Sequence, residues 1–591
     1  MTENTSIFAQ RLDALRGLMA EQGLDGYIIP RTDEYQGEYV PANEERLAWL
    51  TGFTGSAGVA VVLKDKAVVM SDGRYTIQLE QQVDSSVYHT DDNTKTPVEE
   101  WIETHINKND TIGFDGRLFT PSVIQKIQQK LKDSDVIVKP ISENLIDKLW
   151  EDRPDAPKAK VEVFSEKIAG RSHQEKLDEI AASIKEQGAD LGIITLSDSI
   201  AWLLNIRGGD VPHIPIALSY LIVKSDATAD WFIHEDKLSD SVRTHLGNRV
   251  AVYAPETLEA LLKEAVAGKS VLLDPKRTSL WFHENVQAAG GEIIEAKDPC
   301  IDIRSRKTKS EQDAMRQAHI RDGVAVVKFL KWLEEHGPSG QESELSVEEH
   351  LKAFRAEAAE FKDTSFDTIA GFNANGAIVH YRATEETSQT IKAPGLLLVD
   401  SGAQYADGTT DITRTVAIGE PTDEMCERNT LVLKGHIAVA AAAFKKGTLG
   451  KEIDALARKP LQDEGLDYAH GTGHGVGVYL SVHEEAAHLS PKGEEAPQAG
   501  MILSNEPGYY KEGEYGIRIE NLVLVREADD EHLEFETITL APLDTSLIIK
   551  DMLTQDELDW LNAYHAHVYK TLSPFLDEEH QNWLEIACAQ M

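Results

Sequence analysis

The stretch VDSGAQYADGTTDITRT, residues 399–415, decides the architecture of this chain. Gly395 to Asp400 reads as a strand, and its apolar run Leu396–Val399 ends on a carboxylate. Tyr405-Ala406-Asp407-Gly408 reads as a turn that returns the chain along Thr409 to Ile418, so Asp400 and Asp411 can face each other across a hairpin. A carboxylate that closes an apolar run is costly to bury unless it is paired or coordinated. Taken singly, Asp400 reads equally well as a turn-forming residue before Ser401-Gly402, and Asp411 as a solvated strand residue or a partner of Arg414. Their proximity is what turns two ordinary aspartates into a candidate site.

Three further settings extend it. His474 lies in HGTGHGVG, where Gly471, Gly473, Gly475 and Gly477 let the backbone approach a ligand closely. A phosphate loop is the rival reading. It fails because the segment follows a helix and a loop, is flanked by His470, His483 and His488, and has no Lys-Ser/Thr after it. Glu506 lies in SNEPGYY and Glu520 in IRIEN, whose alternation puts Arg518 and Glu520 on one strand face. Either glutamate alone reads as part of a salt-bridged surface strand. Together, four carboxylates and one imidazole are the donor set of a two-metal hydrolytic site, one that favours Mn²⁺, Co²⁺ or Zn²⁺ over thiolate-bound structural zinc. Two such ions activate water and polarise a carbonyl, which is amide hydrolysis without a covalent intermediate. No GxSxG elbow competes, and none of the three cysteines, Cys300, Cys426 and Cys588, lies in a nucleophile context.

Composition sets the frame around that site. At 591 residues, with 41% apolar and 27% charged side chains, the chain reads as a globular protein of two to four domains. Its 100 Asp plus Glu against 59 Lys plus Arg give a formal charge of −41, spread along the chain, which argues against a nucleic-acid partner. An odd, scattered trio of cysteines suits a reducing compartment. The start, MTENTSIFAQRLDALRGLMAEQG, lacks the basic and apolar segments of a signal peptide, and no run approaches a membrane span, so a cytoplasmic protein is expected.

A weak repeat organises the first half. Phe8, Leu12, Leu15 and Met19 line one helix face before the strand-like EQGLDGYIIP; Leu177, Ile180 and Ile184 do the same before EQGADLGIIT. Ala48-Trp49-Leu50 and Ala201-Trp202-Leu203 follow, each ahead of short strands: Gly58 to Leu63 and Ala67 to Met70, then Ile216 to Val223 and Ala229 to Ile233. Two related α/β domains, 1–153 and 158–305, are expected on either side of the Pro154/Pro157 linker. The second half is read as a mixed α/β catalytic domain over 309–591. Ser310 with Asp313 and Ser346 with Glu349 are read as capping its first helices, and helices are expected over Met425 to Phe444 and Leu449 to Gly465. A helical extension from about 545, capped by Thr554 and Glu557, reads as a docking or dimer element.

RLAWLTGFTGSAG, DGRYTIQ, NIRGGDVP, VDSGAQYADGTTDITRT, HGTGHGVG, NEPGYY, GIRIEN and DELDWLNAYH together resemble the pita-bread metallopeptidases, and specifically the large three-domain Xaa-Pro aminopeptidases. The resemblance implies two creatinase-like N-terminal domains and a pita-bread catalytic domain. It implies Asp400, Asp411, His474, Glu506 and Glu520 as ligands of two divalent ions, with Mn²⁺ preferred over Co²⁺ or Zn²⁺. Asp411 and Glu520 would span both ions. It further implies His380, His470 and His483 as substrate-side histidines, Glu506 as proton carrier and Arg518 as electrostatic support. The substrates would be peptides with proline second, acted on by a homodimer. A prolidase or creatinase-like hydrolase is the enzymatic alternative, and an inactive interaction module of the same fold is the alternative from another class.

Overall fold

The computed structural model describes residues 6–591; the first five residues, where the leader reading and the 1–153 expectation begin, lie outside it. Contacts divide the chain into two compact units. One holds the described residues up to Glu166 together with Arg171–Ile301, the other Lys167–Gly170 and Asp302–Met591.

The first unit contains the repeat as two six-stranded sheets of identical topology. In spatial order the first runs His89–Asp92, Ala67–Ser71, Val59–Leu63, Gly26–Pro30, Thr111–Asp115, Ile137–Ile141. The second runs Val250–Tyr253, Ala229–Phe232, Tyr220–Lys224, Leu191–Ile194, Ser270–Leu273, Glu292–Glu295. In each, the first strand of the repeat pairs antiparallel with the hairpin strand and parallel with the later one. Val59–Leu63 and Ala67–Ser71 are buried on both faces, which is why they read as unbroken apolar runs. Helix Ile7–Glu21, capped by Ser6, buries Leu12, Leu15 and Met19 and ends before Gly23 at φ +65. Helix His173–Glu186 buries Leu177, Ile180 and Ile184 beneath a Ser172/Glu175 capping box. The expected strand from Ile216 starts instead at Tyr220, because Leu218 N–H is drawn out of the ladder to Asp210 Oδ2 at 2.8 Å.

In the second unit, two caps fall earlier than expected. Thr308 with Glu311, not Ser310 with Asp313, opens the helix Lys309–His336, and Ser343, with Ser346 at its third position, opens Glu344–Arg355. The central sheet orders Ile369–Phe372, Gly395–Ser401 and Ile412–Ile418, while a six-stranded sheet orders Ala443–Lys445, His532–Thr537, Asn521–Glu527, Ile502–Asn505, Gly473–Gly475 and Glu484–Leu489. The expected return strand is broken at Thr410-Asp411. Its first piece, Gly408–Thr409, forms a side hairpin with Ala403–Tyr405. Helix Asp423–Ala440 stops short of Phe444, which joins a strand paired with His532–Thr537. Gly450–Gln462 is helical within the expected range. Thr554 and Glu557 cap Gln555–Leu572 as expected, and this helix buries Leu561, Val568 and Leu572 in one core with Leu396 and Ile517. At about 1.5–3 kcal/mol per buried leucine-sized side chain, that packing makes the extension integral to its own unit. Among the described residues no helix is long and apolar enough to cross a membrane.

Candidate metal centre

The kink in the central hairpin sets the first two carboxylates. Asp400 pairs across the ladder with Thr413, and Asp411 lies two residues earlier, at the break, close enough for the Asp400 charge to act on its carboxyl. Gly402 permits the kink: a Cβ there would strike Ser365 Oγ and Thr410 O. Ser365 in turn donates from N–H to Gly402 O at 3.1 Å and from Oγ to Thr410 O at 2.8 Å. From the six-stranded sheet, His474 comes from the glycine-rich strand. Gly473 packs there so closely that a Cβ would strike Ser504 O, and the neighbouring His474 N–H donates to Ser504 Oγ at 3.0 Å. Glu506 follows the adjacent strand and accepts from Ser504 Oγ at 3.0 Å. Glu520 precedes the next strand and accepts from Thr413 Oγ1 at 2.7 Å.

One ligand atom each from Asp411, His474 and Glu520 lies within 4.8 Å of the others. His474 Nε2 is 3.6 Å from Asp411 Oδ2 and 3.5 Å from Glu506 Oε1. Asp400 joins through Arg518, whose Nη2 donates to Asp400 Oδ2 at 2.6 Å. Burial first, then the neighbouring carboxylates, pushes Asp411 and Glu520 well above the ordinary carboxylate range. Burial, with Asp400 close by, raises Glu506 to about 7 despite Arg518. Burial works against the Arg518 charge, yet Tyr510, Asp400 and Glu506 hold it more firmly protonated than a free arginine.

This arrangement fits divalent cations. Asp400 Oδ1 is buried with no hydrogen-bond partner among the described residues. A carbonyl only accepts, so the contact of His474 Nδ1 with Gly475 O at 2.9 Å puts a proton on that nitrogen and turns Nε2 toward the carboxylate oxygens. Nε2 is thereby the ring nitrogen aimed at a cation held between it and those oxygens. Five oxygen or imidazole donors and no thiolate match the borderline-hard ions expected.

The remaining predicted residues border the cluster at different removes. His470 Nδ1 is 3.9 Å from Glu506 Oε2, and the His483 ring meets His474 edge-on at 4.4 Å between centroids. His380 follows Val379, whose carbonyl accepts from Arg518 Nη2 at 3.4 Å. Tyr510 was quoted in the sequence but given no role. Its hydroxyl accepts from Arg518 Nη1 at 2.6 Å and meets His470 Nε2 at 2.8 Å, coupling the histidine to the carboxylate cluster. The signal was available: Tyr510 lies on the hairpin strand paired with that of Arg518, two residues from Gly508, the direct partner of Arg518. Arg458 had no local signal. From its helix it donates to Tyr468 O at 2.7 Å and His470 O at 2.6 Å, fastening the loop that carries His470.

Residues 313–527 match metallopeptidase family M24 and 531–591 the C-terminal region of that family, while 11–149 and 152–311 each match a creatinase/prolidase N-terminal domain. Xaa-Pro aminopeptidase 1 of Dictyostelium discoideum is 37% identical over 98% of this chain and 96% of its own. The crystal structure of X-prolyl aminopeptidase from Caenorhabditis elegans, described as a cytosolic enzyme with a di-nuclear active site, superimposes with a TM-score of 0.94 at 32% identity, covering 99% of this chain and all of that one (100%). The Xaa-Pro dipeptidase of Bacillus anthracis shares the fold alone, at 23% identity, a TM-score of 0.53 and 63% of this chain. The chain therefore belongs to the Xaa-Pro aminopeptidases of metallopeptidase family M24, in the form that carries two creatinase/prolidase-type N-terminal domains.

Proposed function

We propose that this chain is a dinuclear metallo-aminopeptidase that releases the N-terminal residue from peptides whose second residue is proline. The observation that carries the reading is the convergence of Asp411, His474 and Glu520 within 4.8 Å, with Glu506 beside His474 at 3.5 Å. Asp400, Asp411, His474, Glu506 and Glu520 would hold two ions; Mn²⁺ is the preferred occupant, Co²⁺ or Zn²⁺ the alternatives. Bound there, the ions supply Lewis acidity and an acidified water.

The chain's own groups do the rest. An Xaa-Pro amide has no N–H, and its leaving group is a secondary amine that must gain a proton to depart. Glu506, whose Oε1 lies 3.5 Å from His474 Nε2 at the edge of the cluster, carries it from water to that nitrogen. His380, His470 and His483 orient the substrate and stabilise the developing oxyanion. Arg518 and Tyr510 hold Asp400 and His470 in register. The same reading includes a homodimer, a cytoplasmic location and a division into 1–153, 158–305 and 309–591, which the duplicated sheet topology supports.

Similarity to aminopeptidases over nearly the whole chain, against a shared fold over 63% for the dipeptidase, favours longer peptides over dipeptides. Turnover of Xaa-Pro-Yaa peptides and Xaa-Pro dipeptides by Mn²⁺-loaded protein tests this. Cleavage confined to the dipeptide would make the chain a prolidase.

A further inference from the structure

Behind the candidate centre lies a second polar layer that the chemistry above does not use. Asn505 immediately precedes Glu506, Asn521 immediately follows Glu520, and the two asparagines face each other in the antiparallel register. His436, from helix Asp423–Ala440, bridges them. Its Nδ1 donates to Asn505 O at 3.1 Å and its Nε2 accepts from Asn521 Nδ2 at 3.1 Å, while Asn505 Nδ2 donates to His436 O at 2.9 Å.

Arg414 closes the layer. Its Nη1 donates to Thr413 O at 2.9 Å and to Glu520 O at 2.8 Å, so one nitrogen grips both strands. Its Nη2 donates to Asn521 Oδ1 at 2.9 Å, Ala541 O at 2.9 Å and Tyr564 OH at 3.1 Å, and its Nε to Pro542 O at 3.0 Å. All six acceptors are neutral, and Arg414 is only 4% exposed. A buried cation served by neutral groups alone is expensive, and the cost is offset where acidic groups lie close; here Glu520, whose own carbonyl Arg414 grips, is that group. Thr413, whose carbonyl Arg414 holds, also donates its hydroxyl to Glu520 Oε2. The hydroxyl of Tyr564 donates onward to Ala541 O at 2.9 Å, which ties the C-terminal helix Gln555–Leu572 into the same layer.

We propose that Arg414 and Tyr564 are positioning residues for the metal centre: together they lock Glu520 against the strand that begins just after Asp411, and so make the C-terminal helix part of the support of the site. The inference rests on the reading of the centre as metal-binding. It gives the extension a task within its own chain, independent of any role in dimer formation.

The test uses the full chain, stripped with chelator and titrated calorimetrically with Mn²⁺, as wild type, Tyr564→Phe and Arg414→Lys. Loss of a group that orients a metal ligand weakens affinity by about 10- to 100-fold. Tyr564→Phe is expected near the low end of that range and Arg414→Lys near the high end. The rise in melting temperature on metal loading shrinks in both, and excess Mn²⁺ restores kcat. Should the variants bind Mn²⁺ as wild type does while stripped and loaded midpoints fall equally, the layer is mere packing and the proposal fails. Tyr564→Phe alone decides if Arg414→Lys does not fold. A wild-type chain that takes up no Mn²⁺, Co²⁺ or Zn²⁺ overturns the metal reading itself, and the proposal with it.

Discussion

Replacing Glu506 by glutamine inverts sign between the stripped and loaded protein, and the size of the inversion follows from the site. Glutamine keeps the shape and can still accept from Ser504 Oγ, so what changes is the charge. Burial beside Asp400 raises the Glu506 carboxyl from 4.5 to about 7 in the absence of metal. Its folded value lies above its unfolded one, so between about 4.5 and about 7 the native state keeps a proton that the unfolded chain has released. Stability therefore falls as pH climbs through that window, by about 1.4 kcal/mol per pH unit, or about 3 kcal/mol in all. The 17% of the side chain that remains exposed makes this a ceiling. Glutamine has no proton to lose. Stripped wild type and Glu506→Gln should melt together at pH 4.5, and by pH 8 the variant should melt higher by up to about 6 °C, taking about 2 °C per kcal/mol for a unit of this size. With Mn²⁺ present the order reverses, because the variant has lost an anionic ligand. Scanning calorimetry of both proteins with chelator and with Mn²⁺, across that pH range, reads all four curves. A stripped variant no more stable than wild type at pH 8 would refute the argument that these carboxylates are packed at electrostatic cost.

Two further changes probe the supports of the site. Arg518→Met leaves the Asp400 carboxylate without its 2.6 Å partner; breaking such a buried pair costs about 3–5 kcal/mol, and lysine should not restore turnover because it cannot fork to Asp400 and Tyr510 together. Melting temperature and kcat of both variants check this. Gly402→Ala drives a methyl into Ser365 Oγ and Thr410 O, so about 1–3 kcal/mol should be lost along with bound metal as Asp411 shifts, read by calorimetry and metal analysis.

The sequence was most legible where an argument needs only neighbours along the chain. The apolar spacing of Leu12, Leu15 and Met19, and of Leu177, Ile180 and Ile184, placed two helices, and the repeated strand that follows each pointed to two related α/β domains, whose sheets share one topology. Capping chemistry is local too, but degenerate. Thr308 with Glu311 satisfies the same spacing rule as Ser310 with Asp313, and which one caps is settled by the buried face that Glu311 and Met315 present to the core. Phe444 was misread because its strand exists only through pairing with His532–Thr537, nearly ninety residues on. In the site, the side chains with chemistry of their own stood out in glycine-rich or apolar surroundings. The groups that hold them did not: Thr413 to Glu520 and Arg414 to Tyr564 are hydrogen bonds between distant segments, and nothing beside these residues in the chain announces them.

The central claim is that five side chains from separate strands and loops grip a pair of cations. Elemental analysis of the purified chain alongside Asp411→Asn and His474→Ala, with circular dichroism to show the fold intact, tests it most directly. The account predicts two divalent ions per wild-type chain and loss of both metal and peptide hydrolysis in each folded variant. Full metal content and activity in either variant would contradict it.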